Sequence, residues 1–108
     1  MVVNPETLNK SVIDYINEVR KDMPIDKAYL FGSYAKGNPD EWSDIDICFF
    51  SDYFIGKHNI GIRLLKIAER FFPDMVFEPH AVPSSELEND NPFVKEILRT
   101  GREISIDD

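Results

Sequence analysis

Leu30-Phe31-Gly32-Ser33-Tyr34-Ala35-Lys36-Gly37-Asn38-Pro39-Asp40-Glu41-Trp42-Ser43-Asp44-Ile45-Asp46 is the stretch of this 108-residue chain on which its fold and its chemistry turn. It emerges from a short apolar run, Lys27 to Phe31, that stops at Gly32, and it closes on Asp44-Ile45-Asp46, the entrance to a second apolar run ending at Phe50. Both runs have the length and aromatic content of strands. Between them stand Gly-Ser, ten residues and Asp-x-Asp. At average residue usage those four positions coincide in roughly one chain in a thousand of this length. Ser33 to Lys36 can form one turn of helix whose leading amides face out of the strand end, a place where phosphate oxygens bind. Gly32 lets the backbone approach a ligand, Ser33 adds a hydroxyl donor, and Lys36 is the nearest base. Asp44 and Asp46, two apart on a strand, leave one face while Ile45 and Ile47 turn into core. Paired carboxylates repel each other, and Mg²⁺, an oxygen-seeking ion held by carboxylates together with substrate phosphates, relieves that repulsion.

Outward from this stretch, helices and strands alternate. Asn4-Pro5 has the form of a cap and first helical residue, and Leu8, Val12, Ile16 and Val19 continue at helical spacing, which predicts a helix over about residues 5–21. Ile60, Leu64, Ile67, Ala68 and Phe71 make the stripe of a second helix over 60–72, ended by Pro73. Met75 to Glu78 reads as a third strand closed by Pro79, with Glu78 on one face with Val76. Asn91-Pro92 repeats the helix start, Gly101 stands where a helix-ending glycine belongs, and residues 102–106 suit an edge strand. The fold class is therefore α/β, one small domain over 1–108 with a mixed β-sheet of three to five strands and helices packed on it. A second metal ion needs a carboxylate from a neighbouring strand, and Glu78 is the candidate. Two ions about 4 Å apart can clamp an in-line displacement at phosphorus.

Composition narrows the field. Apolar residues make up 43% of the chain, with 8 Phe, 4 Tyr and one Trp, enough for a core. The net charge of −8 has the wrong sign for autonomous nucleic-acid binding. Cys48 is the only cysteine, so no internal disulfide forms, and no apolar run reaches membrane-spanning length. A cytoplasmic protein is expected.

Gly32-Ser33, Asp44, Asp46 and the later strand carboxylate resemble the signature of the DNA polymerase beta-like nucleotidyltransferase superfamily, and in particular its minimal nucleotidyltransferases. The motif spans Gly32 to Asp46, and the order of elements extends the likeness through Glu78 to the final Asn-Pro helix. The resemblance implies that Ser33 contacts nucleotide phosphates, that Asp44 and Asp46 bind two Mg²⁺ ions, and that ATP or another nucleoside triphosphate is the substrate. Glu78 stands where the family more often has aspartate. Larger members carry extra domains for template or acceptor, for which this chain has no room. The smallest resemble antitoxins that transfer AMP to a tyrosine of a helical HEPN-type toxin. The alternative is a non-catalytic nucleotide-binding or toxin-neutralising subunit acting by protein contact. Transfer to a small molecule would need a homodimer to build the missing cleft.

The remaining polar and aromatic residues have simpler readings. Tyr34 suits stacking on a nucleobase, covering the phosphate turn or packing against Trp42. His58 and His80 lack metal-ligand spacing with each other, and His80, two residues past Glu78, has two readings, a place near the site and a surface position. Arg63, Lys66 and Arg70 read as a solvated helix face, Cys48 as core, and Glu86, Glu88, Asp90 and Asp107-Asp108 as solubilising charge.

Overall fold

The computed structural model describes residues 2–106, which leaves the Asp107-Asp108 pair outside the described residues. Four strands, β1 (Lys27–Phe31), β2 (Ile45–Phe50), β3 (Phe77–Val82) and β4 (Arg102–Ile104), form one sheet in the order β3-β2-β1-β4. β1 runs antiparallel to β2 and β4, and β2 runs parallel to β3. The parallel pair needs a crossover, and the helix α3 (Ile60–Phe71) supplies it. The expected α/β fold with a mixed sheet is the fold observed.

Helices cover both faces. The first helix, α1 (Pro5–Arg20), begins where Asn4 accepts a hydrogen bond from the Thr7 amide at 2.9 Å, with Pro5 at its first position. It packs Val12, Tyr15, Ile16 and Val19 against Leu64 and Ala68 of α3 and against Ala28, Leu30, Ile45, Ile47 and Phe49 of the sheet. Fully buried Tyr15 ties these layers together. Its ring stacks on Phe77 at 4.6 Å, and its hydroxyl donates to the Leu64 carbonyl at 2.7 Å. On the opposite face the helix α4 (Pro92–Thr100) buries Val94 and Ile97 over Tyr29, Cys48 and Phe50. The short helix α2 (Ser33–Lys36) leaves the end of β1 through Gly32. None of the described helices is long and apolar enough to cross a membrane.

Three local expectations change. The third strand does not close at Pro79 but begins at Phe77 and runs through Pro79 to Val82. The Val76 and Val82 carbonyls accept from the Ile45 and Ser51 amides, so even-numbered residues of β3 face β2 and Pro79 turns its nitrogen to the open edge, where no hydrogen bond is lost. Gly101 is not left-handed (φ −84°). It is needed for space, because a Cβ there would lie 2.6 Å from the Ile97 carbonyl and 3.0 Å from that of Leu30. Arg63 is more than a solvated base, since it donates to Asp22 at 2.9 Å and to the Tyr53 hydroxyl at 3.3 Å, joining α3 to the turn after α1.

Candidate active site

Five of the six residues of β2 are buried, and the exception is Asp46. A half-buried acid in a central, otherwise apolar strand costs stability unless something compensates it. Three features of the sheet converge on its carboxylate. The antiparallel register sets Asp46 beside Phe31, so the turn at Gly32 lies directly over it. The parallel register sets it opposite Glu78. The alternation of β3 then places His80 on the same face as Glu78, with its Nε2 atom 3.9 Å from Glu78 Oε1. Donor atoms of Asp46, Glu78 and His80 all fall within 4.8 Å of one another.

Burial first, then a hydrogen bond to Glu78 and the charges of Glu78 and Asp44, push the Asp46 carboxyl up to about 7. The main neighbour of Asp46 is thus Glu78 across the strands, ahead of Asp44 two residues before it. Asp44, exposed just ahead of β2, stands outside the tightest trio. Its carboxyl is also raised, by desolvation and then by the charge of Glu78 and a hydrogen bond with it. Two aspartates raised in this way beside a third carboxylate fit a divalent cation, whose oxygen ligands sit about 2.1 Å from the ion.

The proton that Asp46 keeps to about pH 7 makes stability depend on pH with a definite sign. The unfolded carboxyl loses its proton near 3.8, so between these values the folded chain binds more protons and its stability falls as pH rises. Asparagine mimics the protonated acid at every pH. With chelator present, Asp46→Asn should melt with the wild type near pH 3 and about 5 °C above it at pH 8. That gap corresponds to about 1 kcal/mol after discounting for the partial exposure of the group. Melting curves across this range check it, and a gap that does not widen with pH would remove the repulsion.

Gly32 closes the site from above. Its backbone (φ 73°, ψ −155°) lies in a region that only glycine occupies comfortably, and a Cβ there would stand 2.3 Å from Asp46 Oδ2. The first hydrogen bond of α2 is from the Lys36 amide to the Gly32 carbonyl at 3.1 Å, so the amides of Ser33, Tyr34 and Ala35 lie ahead of the helix's own bonding. Lys36 is exposed at the far end of that turn.

Of the residues that sequence reasoning brought to one place, the structure gathers Gly32, Asp44, Asp46 and Glu78, and Ser33 follows Gly32 as the first residue of α2. For two aromatics and one histidine the structure chooses among the open readings. Tyr34 is no base platform, because its ring is buried and its hydroxyl accepts from the Val3 amide at 3.1 Å. Trp42 is 81% exposed rather than packed, and with Tyr34, Asp44 and Val76 it lines a cavity of about 320 Å³ beside the acids. His80 is half-buried in the acidic cluster, not at the surface. The spacing Glu78-x-His80 carried that signal once the strand was known to continue through Pro79. Cys48 is core as expected, and burial pushes its thiol up to about 12.

A glycine turn over paired strand carboxylates is the arrangement of a nucleotidyltransferase domain. The family model described as "Polymerase beta, Nucleotidyltransferase" matches residues 13–108, and this chain belongs to that family. A segment of 42 residues is 43% identical to the "Putative protein adenylyltransferase MJ0141" of Methanocaldococcus jannaschii, covering 33% of this chain and 42% of that relative. The match thus spans less than half the relative's length. A crystal structure of a "putative nucleotidyltransferase" superimposes with a TM-score of 0.61 at 28% identity, covering 87% of this chain and 97% of that one. The fold also recurs in the toxin–antitoxin pair MntA–HpeT, at a TM-score of 0.60 and 20% identity over 96% of this chain and 73% of that one.

Proposed function

We propose that residues 1–108 act as one Mg²⁺-dependent nucleotidyltransferase domain that moves AMP from ATP to a hydroxyl of a partner protein in the cytoplasm. The observation that carries this reading is Asp46, a half-buried acid in an apolar strand, set opposite Glu78 and under the Gly32 turn. In the reaction the acceptor oxygen forms a bond to the α-phosphorus, the bridging bond to the β-phosphate breaks, and pyrophosphate leaves as the hydroxyl proton passes to solvent. Bound divalent ions would neutralise the triphosphate and favour the ionised acceptor. Asp44, Asp46 and Glu78 hold them. Gly32 and the leading amides of α2 receive phosphate oxygens, Ser33 donates its hydroxyl, and Lys36 offsets charge at the rim. Such transfers ask mainly for positioning and charge neutralisation, which a domain of this size can supply.

Charge and kinship support a protein acceptor. A net charge of −8 favours a partner with basic patches over a nucleic acid. The M. jannaschii relative bears the name of a protein adenylyltransferase, and MntA–HpeT, which shares the fold, is a toxin–antitoxin pair. The acceptor is a tyrosine of a helical HEPN-type toxin, inactivated when AMP is attached. Incubation of such a protein with this chain, ATP and Mg²⁺ should add AMP to a tyrosine, read by mass spectrometry, and Asp44→Asn should abolish the addition. Neutralisation of the partner without any modification, equally by wild type and Asp44→Asn, would establish a binding subunit instead.

A further inference from the structure

We propose that His80 is a nitrogen ligand to the divalent cation at Asp46 and Glu78, which gives the site a preference for first-row transition ions, Mn²⁺ among them, over Mg²⁺. This rests on the reading of the acidic cluster as a cation site. Nothing in the Gly-Ser and Asp-x-Asp signature calls for a histidine. The sheet register supplies one by running β3 past Pro79, so that His80 follows Glu78 on the face that Asp46 shares.

The imidazole packs beside a pair of phenylalanine rings, the three centroids forming a triangle. Its ring lies 5.2 Å from that of Phe31 on β1 and 5.6 Å from that of Phe93 on α4, with Phe31 and Phe93 edge to face at 5.7 Å. Phe93 is positioned in turn by the cap of α4, where its amide donates to Asn91 Oδ1 at 3.0 Å. Nε2 lies 3.9 Å from Glu78 Oε1, between the roughly 3.0 Å of adjacent donors and the roughly 4.2 Å of opposite donors on an octahedral ion, so shared ligation asks for an adjustment of under about 1 Å. A side chain braced by packing loses little freedom when it binds, which is how preorganised ligands gain affinity. Mg²⁺ favours an all-oxygen shell and gives up water reluctantly, whereas imidazole suits transition ions. One nitrogen among carboxylates therefore shifts the choice of ion without excluding Mg²⁺.

Mn²⁺ is the probe, because its electron spin reports a directly bound nitrogen. Pulsed electron paramagnetic resonance of the Mn²⁺-loaded full chain should show ¹⁴N coupling in the wild type and in His58→Ala. The coupling should change to the ¹⁵N pattern when histidine is ¹⁵N-labelled, a test that needs no substitution. His80→Phe, which keeps a ring beside Phe31 and Phe93, should lose the coupling and weaken Mn²⁺ binding by about tenfold or more, with Mg²⁺ binding little changed. Mn²⁺ that binds in an Asp46-dependent way without nitrogen coupling would overturn the role of His80 and leave the acidic site standing. Mn²⁺ binding indifferent to Asp46→Asn would instead overturn the cation site on which the proposal rests.

Discussion

Asp46→Asn should lower nucleotide transfer by at least about a thousandfold, equivalent to about 4 kcal/mol of transition-state stabilisation. The side chain is the meeting point of the site. It lies opposite Glu78, beneath Gly32, and in the one position of β2 that is not buried. Asparagine keeps its shape and leaves the strand pairing intact, but it removes the charge that would hold a cation against a triphosphate. A transfer assay and a melting curve on one preparation separate the two effects. Activity near wild type in a variant that melts no lower than the wild type would remove Asp46 from the chemistry.

Gly32→Ala damages fold and site together. Its backbone angles cost a residue with a side chain about 1–3 kcal/mol, and the added carbon falls 2.3 Å from Asp46 Oδ2, so the carboxylate must swing away. Transfer should fall by about a hundredfold or more, in line with what a displacement of about 1 Å costs a positioned group. Gly37→Ala is the matched control, because a Cβ there meets nothing within 4 Å although φ is 78°. It should lose stability and keep activity. If Gly32→Ala is as active as Gly37→Ala at a temperature where both are folded, close contact between the turn and Asp46 is not needed for transfer.

How far the sequence could be read depended on the range of the signal. Gly32, Ser33, Asp44 and Asp46 are legible because a turn and a strand entrance are built from residues close together in the chain. Asn4-Pro5 and Asn91-Pro92 mark helix starts for the same reason, since each asparagine caps amides two or three residues on. Glu78 was found only as a candidate, by asking which later strand could bring an acid to Asp46. Pro79, taken locally, ends a strand. It is tolerated within β3 because that strand lies at the sheet edge, a fact carried by strand order alone.

By itself, then, the sequence determined the α/β class, the turn at Gly32, the pair of aspartates and the positions of the principal helices. All of these follow from periodicity, capping and spacing within one or two turns of chain. The tertiary structure decided what surrounds Asp46. It set Glu78 opposite and closer in influence than Asp44, brought His80 into the cluster beside Phe31 and Phe93, and buried Tyr34 while leaving Trp42 exposed. The reason is that the register between strands distant in sequence follows from how the buried faces of β1, β2 and β3 pack together, and a shift of one residue along β3 would turn Glu78 and His80 away from Asp46.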